Sequence, residues 1–321
     1  MEQISSIVSM GGQQCELGEI EPADEFSSSE VFGESQRDRE ARVRTTSPYG
    51  HRRDWRLLGF IVKANDELLQ EQVAVQLIRE VQWLFLQAKL PLALRPYRII
   101  ATSPSSGLIE VVPDSLSLDA VKKSTPNFTN LADLFKRRYG GASSPALYRA
   151  RRNFVQSIAG YSVICYLLQI KDRHNGNILL HANGSLIHID FGFLLSNSPG
   201  KNIGFESAPF KLTREWVEVM GGVGGPWFAY FRLLFVRGFL EARRHREKLV
   251  LSVAATFRGV GGSLPCFRAG EATIESMRQR FQPKMSEVQA ARFAASLVDG
   301  SLDHWRTRTY DCYQRCCLGI L

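Results

Sequence analysis

The clearest periodicity along the chain lies between Glu67 and Ala88. Its apolar residues fall three, four or seven positions apart: Leu68, Val75, Ile78, Val81 and Phe85. This spacing places apolar side chains on one face of a helix. The pattern therefore predicts one long amphipathic helix, which ends at the Leu90-Pro91 step.

Short apolar runs on both sides of this helix predict strands. Trp55 to Lys63 has the composition of a mostly buried strand. Tyr97 to Ala101 and Leu108 to Val112 flank a turn-forming segment with the sequence Ser-Pro-Ser-Ser-Gly, which predicts a hairpin. A charged stretch from Arg37 to Arg44 predicts a short helix before the first strand.

From Leu116 onward the pattern is mainly helical. Tyr148 to Ile170 predicts a second long helix, largely buried. Trp216 to Leu321 predicts several amphipathic helices, divided by glycine-rich breaks at residues 221–225 and 259–262. The sequence thus predicts an α+β fold with a small strand-rich N-terminal lobe and a larger helical C-terminal lobe.

The predicted boundaries follow from these patterns. Residues 1–31 lack apolar periodicity and are predicted to be a disordered, acidic and serine-rich tail. The small lobe covers residues 32–115, with a hinge near residues 110–113. The large lobe covers residues 116–321.

Composition narrows the class of protein. The 321 residues are 44% hydrophobic and 22% charged, which excludes wholesale disorder. The net charge is +8, yet residues 1–35 contain only acidic charges, so the rest of the chain is more basic still. A basic body favours phosphate-bearing partners such as a nucleotide, a nucleic acid or an anionic membrane.

Compartment signals are few. The six cysteines form no Cys-x-x-Cys pair, which favours a reducing, intracellular environment. No secretory signal is visible, and the strongly apolar stretch from Ser162 to Ile170 is too short to span a bilayer. We therefore expect a soluble protein that can still bind a membrane surface.

The most informative segment is a predicted hairpin. Two apolar runs, Ile178 to His181 and Leu186 to Ile189, flank the Asn183-Gly184 turn. Antiparallel pairing around this turn brings Asn177 and Asp190 to the same open end, with Cα atoms on the order of 5 Å apart. An amide oxygen and a carboxylate at this separation suit one or two magnesium ions.

The residues around the hairpin have the spacing of a phosphotransferase. Asp172 precedes Asn177 by five residues, as the base precedes the metal-binding Asn in a kinase catalytic loop, although Asp-Arg-His replaces His-Arg-Asp. Asp190-Phe191-Gly192 supplies the second metal ligand. Taken singly, Asp172 and Asn177 fit turn caps better, and His174 fits a core imidazole better; the combination of spacing, hairpin and both ligands favours the catalytic interpretation.

A phosphate-binding cation is expected from the small lobe. Lys63 ends the predicted strand, and Glu71 lies about one turn along the following helix. This pair matches the kinase arrangement, in which a carboxylate holds a lysine against nucleotide phosphates. The alternative is an ordinary surface ion pair.

These segments resemble the catalytic domain of the phosphatidylinositol 3-/4-kinase family. The resemblance is carried by Lys171 to Leu180 and by Ile187 to Phe193, and Lys171, where 3-kinases usually have Gly, indicates the 4-kinases. Further segments are similar to the beta group of 4-kinases: Ser47 to His51, Trp55 to Leu58, Arg152 to Ser157, Asn202 to Glu206, Phe210 to Thr213 and Leu264 to Phe267.

The resemblance implies a bilobal kinase-like fold and a set of nucleotide contacts. Lys63 would contact ATP phosphates, and Glu71 would orient Lys63. The hinge beside the adenine would comprise Glu110, Val111 and Val112, and the turn with Ser47 and Tyr49 would cover the phosphates. Asn177 and Asp190 would hold Mg²⁺, or alternatively Mn²⁺.

The resemblance also implies the acceptor side of the site. Either Asp172 or His174 would deprotonate or position the inositol hydroxyl. The activation loop would run from Asp190 to about Thr213 and would include Phe191, Gly192, Lys201 and Lys211. Because Lys201 and Lys211 are its only cations, we expect unphosphorylated phosphatidylinositol rather than a lipid with extra ring phosphates.

The expected reaction is transfer of the ATP γ-phosphate to the 4-hydroxyl of phosphatidylinositol. Two alternatives are a protein kinase of related fold and a catalytically impaired nucleotide- or membrane-binding module. The second alternative is suggested by Leu69, which stands where the family usually has Arg, and by the absence of a glycine-rich phosphate loop. Pro113, which follows the expected hinge, is a further departure because it removes a backbone donor.

The family resemblance gives expectations for partners and location. These are phosphatidylinositol in membranes, recruitment by small GTPases, calcium sensors or Golgi adaptor proteins, no nucleic acid, and a cytoplasmic place on Golgi-type membranes. The C-terminal segment mixes aromatic, apolar and basic residues and is consistent equally with a membrane interface and a packed helix. Cys316 and Cys317 are candidate acylation sites, with ordinary thiols as the default.

Overall fold

The computed structural model describes residues 31–65, 68–103, 105–199, 208–260 and 262–321. Its strands are β1 (Phe60–Ala64), β2 (Ile99–Ser103), β3 (Ser106–Glu110), β4 (Ser115–Ser117), β5 (Ile178–His181) and β6 (Leu186–His188). Its helices are α1 (Gln36–Thr46), α2 (Leu69–Gln87), α3 (Leu118–Ser124), α4 (Leu131–Tyr139), α5 (Pro145–Leu168), α6 (Arg214–Val219), α7 (Pro226–Arg244), α8 (Arg246–Gly259), α9 (Glu271–Arg280), α10 (Glu287–Ser301) and α11 (Trp305–Leu318). The predicted tail lies almost entirely outside the described residues.

The small lobe is an antiparallel sheet with helix α2 packed on one face. The strand order is β1-β3-β2, so the predicted β2–β3 hairpin is confirmed. Helix α2 buries its apolar side against this sheet, as its periodicity predicts. Gly107 permits close packing here, because a Cβ atom at this position would lie 2.8 Å from Leu68 Cδ1 and 2.4 Å from the Ile100 carbonyl oxygen.

The first predicted strand differs from the structure. The expected buried strand from Trp55 to Lys63 is instead the shorter strand β1, whose Phe60, Ile61 and Val62 are exposed. β1 is an edge strand that pairs only with β3 among the described residues. Apolar composition indicated burial, but burial depends on what covers a sheet, and composition does not contain that information.

A second sheet, of order β4-β5-β6, begins the large lobe. The predicted hairpin is confirmed, with Ile178 opposite His188. Its turn requires glycine: Gly184 has φ +91°, and a Cβ atom there would lie 2.7 Å from the Ala150 carbonyl oxygen of helix α5. Strand β4, which the sequence did not predict, joins the segment after the hinge directly to the hairpin.

Helix α5 forms the centre of the large lobe and packs against α7. It begins three residues earlier than predicted, at Pro145, where Ser144 caps the helix through its hydroxyl and proline occupies the first turn. It ends at Leu168, and the capping residue Gln169 adopts a left-handed conformation with φ 50°. The chain then enters the predicted catalytic loop, so the end of α5 fixes where that loop starts.

The described helices also bear on membrane association. None of them combines the length and the apolar character that crossing a bilayer requires.

The two-lobed α+β architecture is as predicted, and the chain passes from the first sheet to the second between Glu110 and Ser115.

Candidate active site

The open end of the β5–β6 hairpin carries Asn177 and Asp190. The Ile189 amide donates to the Asn177 carbonyl oxygen at 3.1 Å, which extends the pairing to this end of the hairpin. Asp190 follows directly in a left-handed conformation with φ 59°. The register of the hairpin places Asn177 opposite Ile189, one residue before Asp190, so Asn177 and Asp190 both lie at this open end without being directly opposite each other.

The donor atoms at this end suit a hard cation. Asn177 is 7% exposed, and its Nδ2 donates to the Asp172 carbonyl oxygen at 3.1 Å, which leaves Oδ1 as the atom for a ligand. The Asp190 side chain is exposed, and its Oδ1 accepts from the Gly192 amide at 3.3 Å. Amide and carboxylate oxygens are the ligands that Mg²⁺ prefers.

Two protein ligands do not complete a magnesium site. The described residues contain no group of three or more His, Cys, Asp or Glu side chains that could hold a metal. Mg²⁺ usually keeps several other ligands when one or two side chains bind it, and substrate phosphates supply some of them. The residues present therefore fit an ion that arrives with a nucleotide rather than a permanently caged one.

Arg173 holds the catalytic loop against the hairpin. Its buried guanidinium donates to the carbonyl oxygens of Lys171 at 2.9 Å and Ile189 at 2.7 Å, and also to that of Asp190. A buried cation is tolerated when its donors are satisfied in this way. No local sequence signal indicates this role for Arg173, because its partners are backbone groups that no motif identifies.

Asp172 and His174 lie together beside this end of the hairpin. His174 Nε2 is 3.9 Å from Asp172 Oδ2, and the Gly176 amide donates to His174 Nδ1 at 3.1 Å. A neutral ring that accepts at Nδ1 carries its proton on Nε2. Burial lowers the pKa of His174, although the nearby Asp172 carboxylate opposes this shift, so the imidazole is neutral near pH 7.

The C-terminal helix α11 reaches the same loop. The Tyr310 hydroxyl donates to Asp172 Oδ1, and Gln314 Nε2 donates to the Tyr310 hydroxyl oxygen at 2.7 Å. The Asn175 side chain donates to the Leu321 carbonyl oxygen at 2.6 Å. Tyr310 belongs to the C-terminal segment, for which a membrane interface and a packed helix were both expected, and nothing in the local pattern indicates a partner 138 residues away.

The small lobe contributes Glu71, Lys63 and a residue that the sequence analysis missed. The buried Glu71 carboxylate accepts from the Tyr97 hydroxyl at 2.6 Å, and that hydroxyl oxygen accepts from the Asp190 amide at 3.1 Å. Burial, with a contribution from Glu71, raises the pKa of Tyr97, so Tyr97 stays protonated and remains a donor. Lys63 lies on β1 opposite Gly107 and is half-buried.

The other predicted nucleotide contacts lie near the start of the chain and at the end of β3. Ser47 Oγ accepts from the Tyr49 amide at 3.3 Å and caps a turn in which Tyr49 is exposed. Glu110 ends β3, the Val111 amide donates to the Gly59 carbonyl oxygen at 2.9 Å, and Val112 is buried. Their assignment to ATP stays a prediction.

The activation-loop residues have different surroundings. Phe191 is 1% exposed and stacks on Tyr97 with ring centroids 6.2 Å apart. Lys211 Nζ lies 2.7 Å from Asp311 Oδ1 and its side chain is 4% exposed, so its charge is paired rather than presented to solvent. Lys201 lies outside the described residues.

The fold and this site together define a kinase-type domain, and comparison with known proteins specifies it further. Residues 57–261 match the family model described as phosphatidylinositol 3- and 4-kinase. The chain belongs to this family.

Curated relatives are similar over almost the whole chain. Phosphatidylinositol 4-kinase beta 1 of Arabidopsis thaliana is 48% identical over 91% of this chain and 26% of its own length. Phosphatidylinositol 4-kinase of Dictyostelium discoideum is 46% identical over 91% of this chain and 25% of its own length. Phosphatidylinositol 4-kinase beta of Rattus norvegicus is 44% identical over 92% of this chain and 36% of its own length. The chain thus spans about a quarter to a third of the length of these relatives.

Proposed function

We propose that this chain is a lipid kinase that transfers the γ-phosphate of ATP to the 4-hydroxyl of phosphatidylinositol. The observation that carries the proposal is the end of the β5–β6 hairpin. There, two oxygen-donor side chains, Asn177 and Asp190, lie beside the Asp172–His174 loop. The relatives named phosphatidylinositol 4-kinase, which are 44–48% identical over 91–92% of this chain, support the position of the phosphorylated hydroxyl.

Each residue has a distinct role in the proposed mechanism. Asn177 and Asp190 would hold magnesium, which when bound neutralises phosphate charge. Lys63 binds the ATP phosphates, and the buried Glu71 orients that lysine. Asp172 and His174 receive the inositol hydroxyl: the Asp172 carboxylate offers the oxygen acceptor for its proton, and the neutral His174 ring, whose Nδ1 accepts from the Gly176 amide, can donate a hydrogen bond from Nε2. Arg173 keeps this loop in register with Asp190.

The acceptor is proposed to be unphosphorylated phosphatidylinositol. A lipid with extra ring phosphates would require free cations near the acceptor position. Lys211, one of two cations between Asp190 and Thr213, is neutralised by Asp311. This pairing supports a headgroup without added phosphates.

The place of action is proposed to be the cytoplasmic surface of Golgi-type membranes. Helix α11 exposes Trp305, Tyr313 and Leu318, and its segment carries Arg306, Arg308 and Arg315. Exposed aromatic and apolar groups with nearby arginines suit an anionic bilayer surface. Recruitment by small GTPases, calcium sensors or adaptor proteins, and the absence of a nucleic-acid partner, remain predictions from the family resemblance.

The deciding experiment supplies labelled ATP and Mg²⁺ with three alternative acceptors. These are phosphatidylinositol vesicles, phosphatidylinositol 4-phosphate vesicles and a generic protein substrate. We expect product on phosphatidylinositol alone, and analysis of the deacylated headgroup should identify the 4-position. Product only on protein would indicate a protein kinase, and no product on any acceptor would indicate a binding module.

A further inference from the structure

We propose that Gln70 and Tyr97 are positioning residues that fix the Asp190-Phe191-Gly192 segment to helix α2. The consequence for turnover rests on the proposed function, whereas the tether itself does not. Neither residue belongs to the nucleotide, metal or acceptor contacts described above. Both are buried at the junction of the two lobes.

Gln70 uses both atoms of its amide. Its Nε2 donates to the Gly192 carbonyl oxygen at 2.5 Å, and its Oε1 accepts from the Cys266 amide at 2.8 Å. The residue is 4% exposed, so water does not readily replace either bond. One side chain of α2 therefore joins the segment after β6 to the Pro265–Phe267 turn near the start of α9.

The Cys266 end of this connection is itself anchored. The Cys266 carbonyl oxygen accepts from the Ser196 amide at 3.2 Å and from the Ser196 hydroxyl at 2.7 Å. The stretch from Gly192 to Ser196 is thus held at both ends. Gln70 binds the first residue directly, and Cys266 connects Gln70 to the last.

Tyr97 performs the corresponding role on the other side of Phe191. Its hydroxyl oxygen accepts from the Asp190 amide, and its hydroxyl donates to Glu71 on α2. Its ring stacks on the buried Phe191 ring at an interplanar angle of 14°. The Asp190 amide and the Gly192 carbonyl are therefore both held by side chains from the small lobe.

These hydrogen bonds affect the proposed metal ligand. The Asp190 carboxylate is exposed, so its position depends mainly on where the Asp190 backbone is held. The large lobe holds the Asp190 carbonyl oxygen through Arg173, while Tyr97 and Gln70 hold the flanking groups. A displacement of about 1 Å at a reacting centre can lower a rate by as much as roughly 100-fold. The position of α2 is thereby coupled to the aim of the proposed metal ligand.

The test compares four variants of the full chain: Gln70→Met, Gln70→Glu, Tyr97→Phe and Gln82→Met. Gln70→Glu keeps an acceptor for the Cys266 amide but places a carboxylate against the Gly192 carbonyl. Gln82→Met is the matched control, because Gln82 Nε2 on the same helix donates to the Leu94 carbonyl oxygen at 2.7 Å, away from this segment. The readouts are kcat and KM for ATP with phosphatidylinositol vesicles, thermal midpoint, and hydrogen exchange in peptides covering residues 190–197.

We expect kcat to fall about tenfold in the Gln70 and Tyr97 variants, the size of losing about 1.4 kcal/mol of transition-state stabilisation. Exchange over residues 190–197 should rise in these variants while the thermal midpoint falls no further than in Gln82→Met. Unchanged exchange, or a kcat loss equalled by Gln82→Met, overturns the proposal. If the wild-type chain phosphorylates no lipid, the proposed function fails separately, and the exchange comparison alone decides the tether.

Discussion

The Tyr310 hydroxyl donates a hydrogen bond to Asp172 Oδ1, and so connects the C-terminal helix to the proposed catalytic loop. Gln314 in turn donates to Tyr310, one turn further along the same helix. Asp172 has a left-handed backbone, with φ 64°. A non-glycine residue in this conformation needs support from its surroundings, and the contact from Tyr310 provides part of it.

Tyr310→Phe should therefore lower kcat while leaving KM for ATP nearly unchanged. Loss of a hydrogen bond to a charged group typically costs about 1.5–3 kcal/mol, which corresponds to a decrease of roughly 10- to 100-fold. Steady-state kinetics on phosphatidylinositol vesicles would measure this decrease. Tyr148→Phe is the control, because Tyr148 on helix α5 is 54% exposed and lies outside both the proposed site and helix α11. Equal activity of the two variants would contradict a role for Tyr310.

Asp190→Asn should abolish turnover and leave the fold intact. The exposed side chain has no packing role, and an Asn oxygen can still accept from the Gly192 amide. The lost charge is the one that the proposed metal requires. Product formation and circular dichroism would be measured together, with Asp299→Asn, from the surface ion pair with Arg232, as control. Near-normal lipid phosphorylation by Asp190→Asn would refute the metal assignment.

Asp311→Asn should destabilise the chain more than replacement of both members of its ion pair. The single substitution leaves the Lys211 ammonium nearly buried without its carboxylate. Breaking a fully buried pair typically costs about 3–5 kcal/mol, whereas replacing both partners with apolar residues is often nearly neutral. Because the Asp311 side chain is 30% exposed, we expect the single substitution to cost less than this range. Urea denaturation of Asp311→Asn and of Lys211→Met/Asp311→Leu would compare the two free energies of unfolding. If Asp311→Asn were more stable than the double variant, the prediction would be wrong and the ion pair would contribute little to stability.

His188 should make the protein less stable in mild acid. Complete burial, with smaller effects of Arg173 and Lys211, lowers the pKa of His188 well below its ordinary 6.5. Between the lowered pKa of the folded state and the ordinary value of 6.5, His188 is protonated in the unfolded chain but not in the folded chain. The free energy of unfolding therefore decreases as the pH is lowered. This residue contributes at most about 1.4 kcal/mol per pH unit to the decrease.

His188→Phe removes this proton uptake and keeps an aromatic ring for stacking on Tyr161. Denaturation curves between pH 7.5 and 5.5 should then show a weaker dependence on pH than the wild-type curves do. His174 and His181 also have lowered pKa values because of burial, so some dependence remains. The exposed His51 provides the control substitution, His51→Gln, and a slope unchanged in His188→Phe would contradict the prediction.

Local sequence signals identified part of the site. Asn183-Gly184 fixes a tight turn, the turn fixes the register of β5 and β6, and the register places Asn177 and Asp190 at the same open end of the hairpin. Helix α2 was predictable because its apolar residues repeat with the helical period. Both inferences depend on residues that are close in the chain.

Other parts of the site were not predictable in this way. Gln70 meets Cys266 across 196 residues, and Tyr97 meets Asp190 across 93. The Arg173 guanidinium donates to the backbone carbonyl oxygens of Lys171, Ile189 and Asp190, and backbone groups have no sequence signature. The exposure of β1 likewise depends on which elements cover the sheet.

Local patterns were sufficient to predict the two long helices, the hairpin and the kinds of oxygen donor at its end, because backbone preferences and side-chain periodicity act over a few residues. How that end is held depends on contacts between distant segments. Helix α2, the segment before β2 and helix α11 converge on the catalytic loop and on Asp190 from distant parts of the chain. Their contacts depend on how the two lobes pack, and packing is a property of the folded chain as a whole.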